Sequence, residues 1–304
     1  MAKIAMPTVP EGERWHDLDR ALTRRRQLGT AGAMSPRTIA ADDDWTVADV
    51  LCTSGPDDHP FEEQHARYAI AIVLAGSFQY RSPLGPVLMT PGSLMLGNSG
   101  QSFECGHAHG DGDRCVSFWF APDYFERLSA DAGVRRVGGR FTVPRLPPLR
   151  TLSPLVTRAA LGLASPGETP WDELGVTLAA SAVRLSAGMS PDRRGSPLNT
   201  EARVAQAVRT IDRHPATAWR LARLAGAARL SPYHFLRTFT QLTGVTPHQY
   251  VLRSRLRAAA VRLVRESGTV IDIALDCGFG DLSNFTRAFR AEFGVSPRRY
   301  RRER

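Results

Sequence analysis

The chain has 304 residues, 23% of them charged, and a formal net charge of +9. That length holds two ordinary domains, each with its own core. No apolar run approaches the roughly 18 to 20 residues of a membrane span, no apolar leader follows the arginines near the N-terminus, and four cysteines make no disulfide framework, so the expectation is a cytoplasmic protein rather than a membrane-spanning or disulfide-stapled secreted one.

The charge is unevenly spread. Residues 201–304 hold 19 of the 39 basic residues but only 8 of the 30 acidic ones, and every basic residue there is arginine. A basic domain beside a near-neutral one points to an anionic polymer as partner, although an arginine-rich solvated surface would have the same composition.

In chain order, residues 1–40 are polar and read as weakly structured. From about 41 to 145 the pattern is strand-like: "WTVADVLC" (45–52), "RYAIAIVLAGSFQY" (67–80), "PVLMTPGSLML" (86–96) and "RCVSFWF" (114–120) are separated by Gly, Pro, Asn and Asp clusters. Close-set strands with turn signals suggest a barrel or sandwich. Helices follow, first "PDYFERLSA" (122–130), then "WDELGVTLAASAVRL", where Trp171, Leu174, Leu178, Ala182 and Leu185 form one apolar stripe. That stripe packs on its own domain or serves as a dimer seam. "SAGMSPDRRGSPLN", within 186–200, reads as a linker.

The last third repeats itself. Residues 234–250 and 284–300 share seven of seventeen residues, Phe235/Phe285, Arg237/Arg287, Phe239/Phe289, Gly244/Gly294, Val245/Val295, Pro247/Pro297 and Tyr250/Tyr300. Each copy is a short helix, a turn and a second helix. Ser231, Thr269 and Asp281 are placed to cap helix starts, and Gly244 and Gly294 to end them. The helices before the turns align at an offset of 49 rather than 50, so the second turn has one extra residue. Two short helices joined this way describe a helix-turn-helix.

With about 100° per residue, Phe235, Phe239 and Leu242 face inward in the first copy and Tyr233, Leu236, Arg237 and Thr240 outward. In the second, Phe285, Phe289 and Phe293 face inward, with Ser283, Thr286, Arg287 and Arg290 opposite. Arg with small hydroxyls on an exposed helix suits a DNA major groove, where Arg bridges guanine O6 and N7. A longer helix over 246–264 joins the copies and offers Arg253 and Arg255 to phosphates or solvent.

The string "DIALDCGFGDLSNFTRAFRAEFGVSPRRYR" and the two-unit plan closely resemble the AraC/XylS family of transcription regulators, over roughly 201–304. The resemblance implies recognition helices in successive major grooves on one side of double-stranded DNA. Tyr233, Leu236 and Arg237 are then the readers of unit one, and Ser283, Asn284, Thr286 and Arg287 those of unit two. Leu236 departs from the family, which often has a polar residue there. The resemblance also implies a homodimer, a contact with RNA polymerase if the protein activates, and a cupin-like barrel ahead of the DNA-binding part. "GPVLMTPGSLML" resembles the second cupin motif, but Leu94, Met95 and Leu96 stand where cupin enzymes carry a metal-binding His.

"FECGHAHGDGDRC" (103–115) gathers Cys105, His107, His109 and Cys115 in what reads as a hairpin, with Glu62, Glu63 and His65 elsewhere in the region. Such a set suits a metal ion, an oxidisable thiol pair, the lining of an organic-ligand pocket, or plain structure. Cys52 and Cys277 read as core residues.

The expected fold is α+β in two domains. A cupin-like β-barrel with C-terminal helices (41–185) senses a small molecule, metal or oxidant. A linker (186–200) leads to an all-α double helix-turn-helix (201–304). No catalytic constellation appears, so the expectation is a DNA-binding transcriptional regulator rather than an enzyme. The rival reading is a cupin-type metalloenzyme with an attached basic domain that binds DNA or RNA.

Overall fold

The structure, a computed structural model, describes residues 18–110, 112–134, 140–189 and 198–303. The part of the expected linker over 190–197 lies outside them. So does 1–17 of the segment expected to be weakly structured; its remainder holds a helix, α1 (Leu18–Leu28), and a strand, β1 (Met34–Ala41). The expectation for 18–40 is thus corrected. Strand β1 reads as polar because it is an edge strand with an exposed face; it pairs with β2 (Trp45–Cys52) in an antiparallel hairpin across residues 42–44.

The strands continue as β3 (Phe61–Gln64), β4 (Tyr68–Gly76), β5 (Phe78–Ser82), β6 (Gly85–Met89), β7 (Leu94–Gly97), β8 (Ser102–Gly106) and β9 (Asp113–Phe120); β10 (Arg145–Leu146) follows helix α2 (Pro122–Asp131). They form two sheets, ordered β1-β2-β9-β4-β7-β10 and β3-β8-β5-β6. Among the described residues no ladder joins them, so the expected barrel is open: two facing sheets. The long apolar run 67–80 breaks at Gly76, whose φ of +75° lets the chain pass from one sheet to the other. A Cβ there would lie 2.2 Å from the Gly112 carbonyl.

Both faces of the larger sheet are buried, and strand alternation divides them. Val47, Tyr68, Ile70, Ile72, Val116, Phe118 and Phe120 point to helices α2, α3 (Ser153–Gly162) and α4 (Trp171–Ala187). Trp171, Leu174, Leu178 and Ala182 are fully part of that core, so the apolar stripe is not a dimer seam. On the other face Ala48, Val50, Ala71 and Cys115 meet Phe78, Tyr80, Met89 and Cys105 of the smaller sheet.

The rest is helical: α5 (Leu198–Arg213), α6 (Leu221–Ala227), α7 (Pro232–Thr243), α8 (Pro247–Arg265), α9 (Val270–Asp276), α10 (Leu282–Phe293) and α11 (Pro297–Arg302). Two aromatic cores serve them, one around Phe235, Phe239 and Tyr250, the other around Phe285, Phe289 and Tyr300. Leu88 of β6 sits in the first of these, which seats the helices on the smaller sheet.

Candidate functional site

Helices α6 and α7 make one helix-turn-helix and α9 and α10 another. Ser231 Oγ accepts from the His234 N–H, Thr269 Oγ1 from that of Asp272, and Asp281 from that of Asn284. These bonds satisfy N–H groups that helix starts leave unpaired. Gly244 and Gly294 end α7 and α10 with φ of 78° and 79°, a left-handed conformation that suits glycine. The repeat extends into packing: Phe239 meets Tyr250 edge-on at 5.7 Å and Phe289 meets Tyr300 edge-on at 5.3 Å. These edge-to-face pairs fix the roll of α7 and α10, and so which residues face out.

The outward residues are the expected ones. Tyr233 is 75% exposed, and Leu236 and Arg237 are exposed on the same face, with Thr240 half-buried at its edge. On α10, Ser283, Asn284, Arg287 and Arg290 are exposed and Thr286 is half-buried. Ser283, Thr286, Arg287 and Arg290 line one shallow groove, while Leu236 and Asn284 line another between the units. An arginine with hydroxyls and an amide on such a face can donate to and accept from base edges.

Arg253 and Arg255, offered by the sequence to phosphates or solvent, have partners within the chain. Arg253 donates to the Pro148 carbonyl at 2.9 Å and lies 3.6 Å from Glu292, its side chain only 13% exposed. Arg255 donates to the carbonyls of Pro215 and Thr217. Tertiary docking takes both guanidinium groups, which sequence leaves free. Further bonds tie the halves together. Arg145 donates to the carbonyls of Leu88 and Leu242, Arg257 to that of Pro91, Gln79 to Glu201, and Ser153 to Glu292 on the rear of α10.

The expected Cys/His hairpin is not one. Strand β8 pairs in the smaller sheet and β9 in the larger, so the chain passes from one sheet to the other between them. The crossing keeps Cys105, His107 and Cys115 together at the inter-sheet space and sends His109 away. His109 Nε2 stands 3.3 Å from Gln79 and 3.9 Å from Glu201 of α5. Two residues that sequence reading did not select join the cluster. Cys52 is the cross-strand partner of Asp113, and His107 Nε2 lies 2.7 Å from Asp113 Oδ1. Sequence spacing carries no signal for Cys52, because its neighbours come through strand pairing.

Burial alone would hold the His107 imidazole in its neutral form. Hydrogen bonding and charge from Asp113 and Cys52 outweigh it and lift the group to about 10. Burial, reinforced by the Asp113 charge, pushes the Cys105 and Cys115 thiols well up, which suppresses the thiolate an oxidant would attack. Beside the cluster lies a cavity of about 420 Å³, lined mostly by apolar groups such as Phe61, Phe78, Met95 and Trp119. His65 borders it, stacked on Phe103 at 4.0 Å and 2.9 Å from the Tyr80 hydroxyl. Burial lowers its imidazole to about 4.

Residues 224–303 match the family model described as a helix-turn-helix domain. Over 85 residues the chain is 41% identical to "HTH-type transcriptional regulator Rv1931c" of Mycobacterium tuberculosis, covering 28% of this chain and 33% of that protein. It is 38% identical over 90 residues to "Probable transcriptional regulator LumQ" of Photobacterium leiognathi, covering 30% and 36%. A solved structure of "the DNA-binding domain of AdpA, the global transcriptional factor, in complex with a target DNA" is 30% identical, covering 33% of this chain and 91% of that one, with a TM-score of 0.33. The aligned part spans about a third of the length of these curated relatives. No helix among the described residues is long and apolar enough to cross a membrane. The C-terminal third of the chain carries a helix-turn-helix domain similar in sequence to those of named transcriptional regulators.

Proposed function

We propose that the protein is a sequence-specific, DNA-binding regulator of transcription of the AraC/XylS type. The observation that carries this reading is the repeated outward face, with Tyr233, Leu236, Arg237 and Thr240 on α7 and Ser283, Asn284, Thr286, Arg287 and Arg290 on α10. Each helix enters one major groove, where Arg237 and Arg287 bridge guanines and the smaller polar groups read neighbouring bases. Affinity comes largely from arginine–phosphate contacts elsewhere on the basic third and falls with salt. The region up to about 185 is a cupin-like sensor whose inter-sheet cavity takes the effector. Residues 201–304 form the DNA-binding domain, the active species is a homodimer, and RNA polymerase is a partner where the protein activates.

The test uses the full chain and a selected binding site. The two halves of the site lie about one helical turn, some 10 base pairs, apart. Inserting about 5 base pairs turns one half to the far side of the duplex, and affinity drops to that of a single unit. Unchanged affinity after the insertion would show that the units do not engage one site together.

A further inference from the structure

We propose that Cys52, His107, Asp113 and Cys115 form a binding site for a thiophilic divalent metal ion, Zn²⁺ by the chemistry of the donors. This inference goes beyond the DNA-binding reading and does not depend on it. The Cys52 sulfur, a ring nitrogen of His107 and a carboxylate oxygen of Asp113 all lie within 4.8 Å of one another, and all three residues are buried. Tetrahedral Zn²⁺ has bonds of roughly 2.0 to 2.3 Å and so holds its donor atoms roughly 3.3 to 3.8 Å apart. Only small side-chain movements separate the cluster from that geometry. The fourth donor is Cys115, whose sulfur donates to Asp113 Oδ2 at 3.3 Å but stands outside that mutually close set and must turn toward the ion to bind it.

The backbone builds this arrangement. Cys52 ends β2 directly opposite Asp113 at the start of β9, and Cys115 lies two residues along β9 on the same face. His107 arrives from the crossing that follows β8. Its Nε2 lies 2.7 Å from Asp113 Oδ1, so an ion seated between them replaces that hydrogen bond and takes both atoms as ligands. The Gly112 turn places Asp113, with φ of 63° and a Cβ position 2.7 Å from the Cys52 carbonyl, so the end of β2 and the start of β9 are tightly juxtaposed.

The donor set selects the ion. Thiolate with imidazole favours Zn²⁺ and its neighbours over Mg²⁺ or Ca²⁺, which take oxygen ligands. Binding displaces the two thiol protons and the extra proton of the His107 imidazolium, and releases them to solvent. The site opens beside the inter-sheet cavity, whose lining includes Cys52, His107, Asp113 and Cys115, so a ligand in the cavity would touch the metal's donors.

The experiment titrates the full, reduced chain, stripped with a chelator, with Co²⁺ and then with Zn²⁺. One equivalent of Co²⁺ should give a thiolate-to-metal charge-transfer band and the visible bands of four-coordinate cobalt, and Zn²⁺ should displace it. Cys52→Ser, His107→Ala and the near-isosteric Asp113→Asn should each weaken binding by about tenfold or more. His109→Ala and Cys277→Ser should leave it unchanged. Near-ultraviolet circular dichroism of each metal-free variant establishes that it is folded; an unfolded one is replaced by Cys52→Ala or His107→Gln. A folded wild-type chain that binds no stoichiometric metal overturns the proposal. So does equal affinity in folded variants at all three positions, or a six-coordinate spectrum without the thiolate band.

Discussion

Unit one (α6, α7) and unit two (α9, α10) share helix lengths, a side-chain cap on the second helix and core aromatics, yet differ in the cap of the first helix (none on α6, Thr269 on α9), at the turn and on the outward face. The turn bond from Leu230 N–H to the Ala225 carbonyl, at 3.0 Å, recurs from Phe279 N–H to the Ala274 carbonyl at 3.0 Å. The residue before it is left-handed in both, but it is Arg229 (φ 52°) in one and Gly278 (φ 86°) in the other. The single extra residue of unit two is then Gly280, inserted between the turn bond and the Asp281 cap. Outside, unit one presents Tyr233 and Leu236 where unit two presents Ser283 and Thr286. A common backbone plan therefore fixes where side chains point and leaves their chemistry free, which suits an asymmetric target.

The largest expected effect separates the turns. A Cβ at Gly278 would lie 2.5 to 2.9 Å from main-chain atoms of Ala216, and the left-handed backbone adds strain. Gly278→Ala should destabilise unit two by about 3 kcal/mol or more, read as lost hydrogen-exchange protection in α9 and α10. Wild-type protection in that variant would mean the turn has other freedom.

Next comes pH. Asp212 lies beneath unit one, where it accepts from the Tyr250 hydroxyl at 2.7 Å and the Ser254 hydroxyl at 3.0 Å. Burial raises its carboxyl to about 6, against the pull of the Arg257 charge and of those two hydrogen bonds. A carboxyl raised on folding gives a stability contribution complete below its unfolded value, near 3.8, and lost as pH rises through about 6. Protection of α5 and α7 should therefore rise relative to α9 and α10 as pH falls from 7 to 5. Over the whole window the effect is about 3 kcal/mol, and Asp212→Asn should flatten it.

Base reading is smaller. Arg237→Ala and Arg287→Ala should each cost about 1 to 3 kcal/mol of DNA affinity and relax preference in one half-site only, as selection from random sites would reveal. Loss of preference in both halves would sink the idea of independent readers. Smallest of all, Arg229→Gly should relieve the left-handed strain and stabilise unit one by about 0.5 to 1 kcal/mol, visible as a higher denaturation midpoint.

The C-terminal third is legible in sequence because its determinants are local. Caps at Ser231, Thr269 and Asp281 and the stops at Gly244 and Gly294 all lie within a turn of what they control, and the offset of 49 is legible because the two copies align. Pairing is not local. Nothing around 103–115 says that β8 and β9 belong to different sheets, so a crossing reads as a hairpin and Cys52 as ordinary core. The same limit explains Arg253 and Arg255. On an isolated helix both are open to solvent, and only docked segments more than thirty residues away in sequence supply the carbonyls they meet.

Those carbonyls have an evolutionary corollary. Arg145, Arg253 and Arg257 reach the main chain of Leu88, Leu242, Pro91 and Pro148, and every residue type supplies a carbonyl. The acceptor positions can therefore drift in sequence, within the limits of packing, without loosening the joint. The donors cannot, because only a guanidinium has the reach and the fork of N–H groups to span it. One side of this joint is free to diverge, and the other is held to arginine.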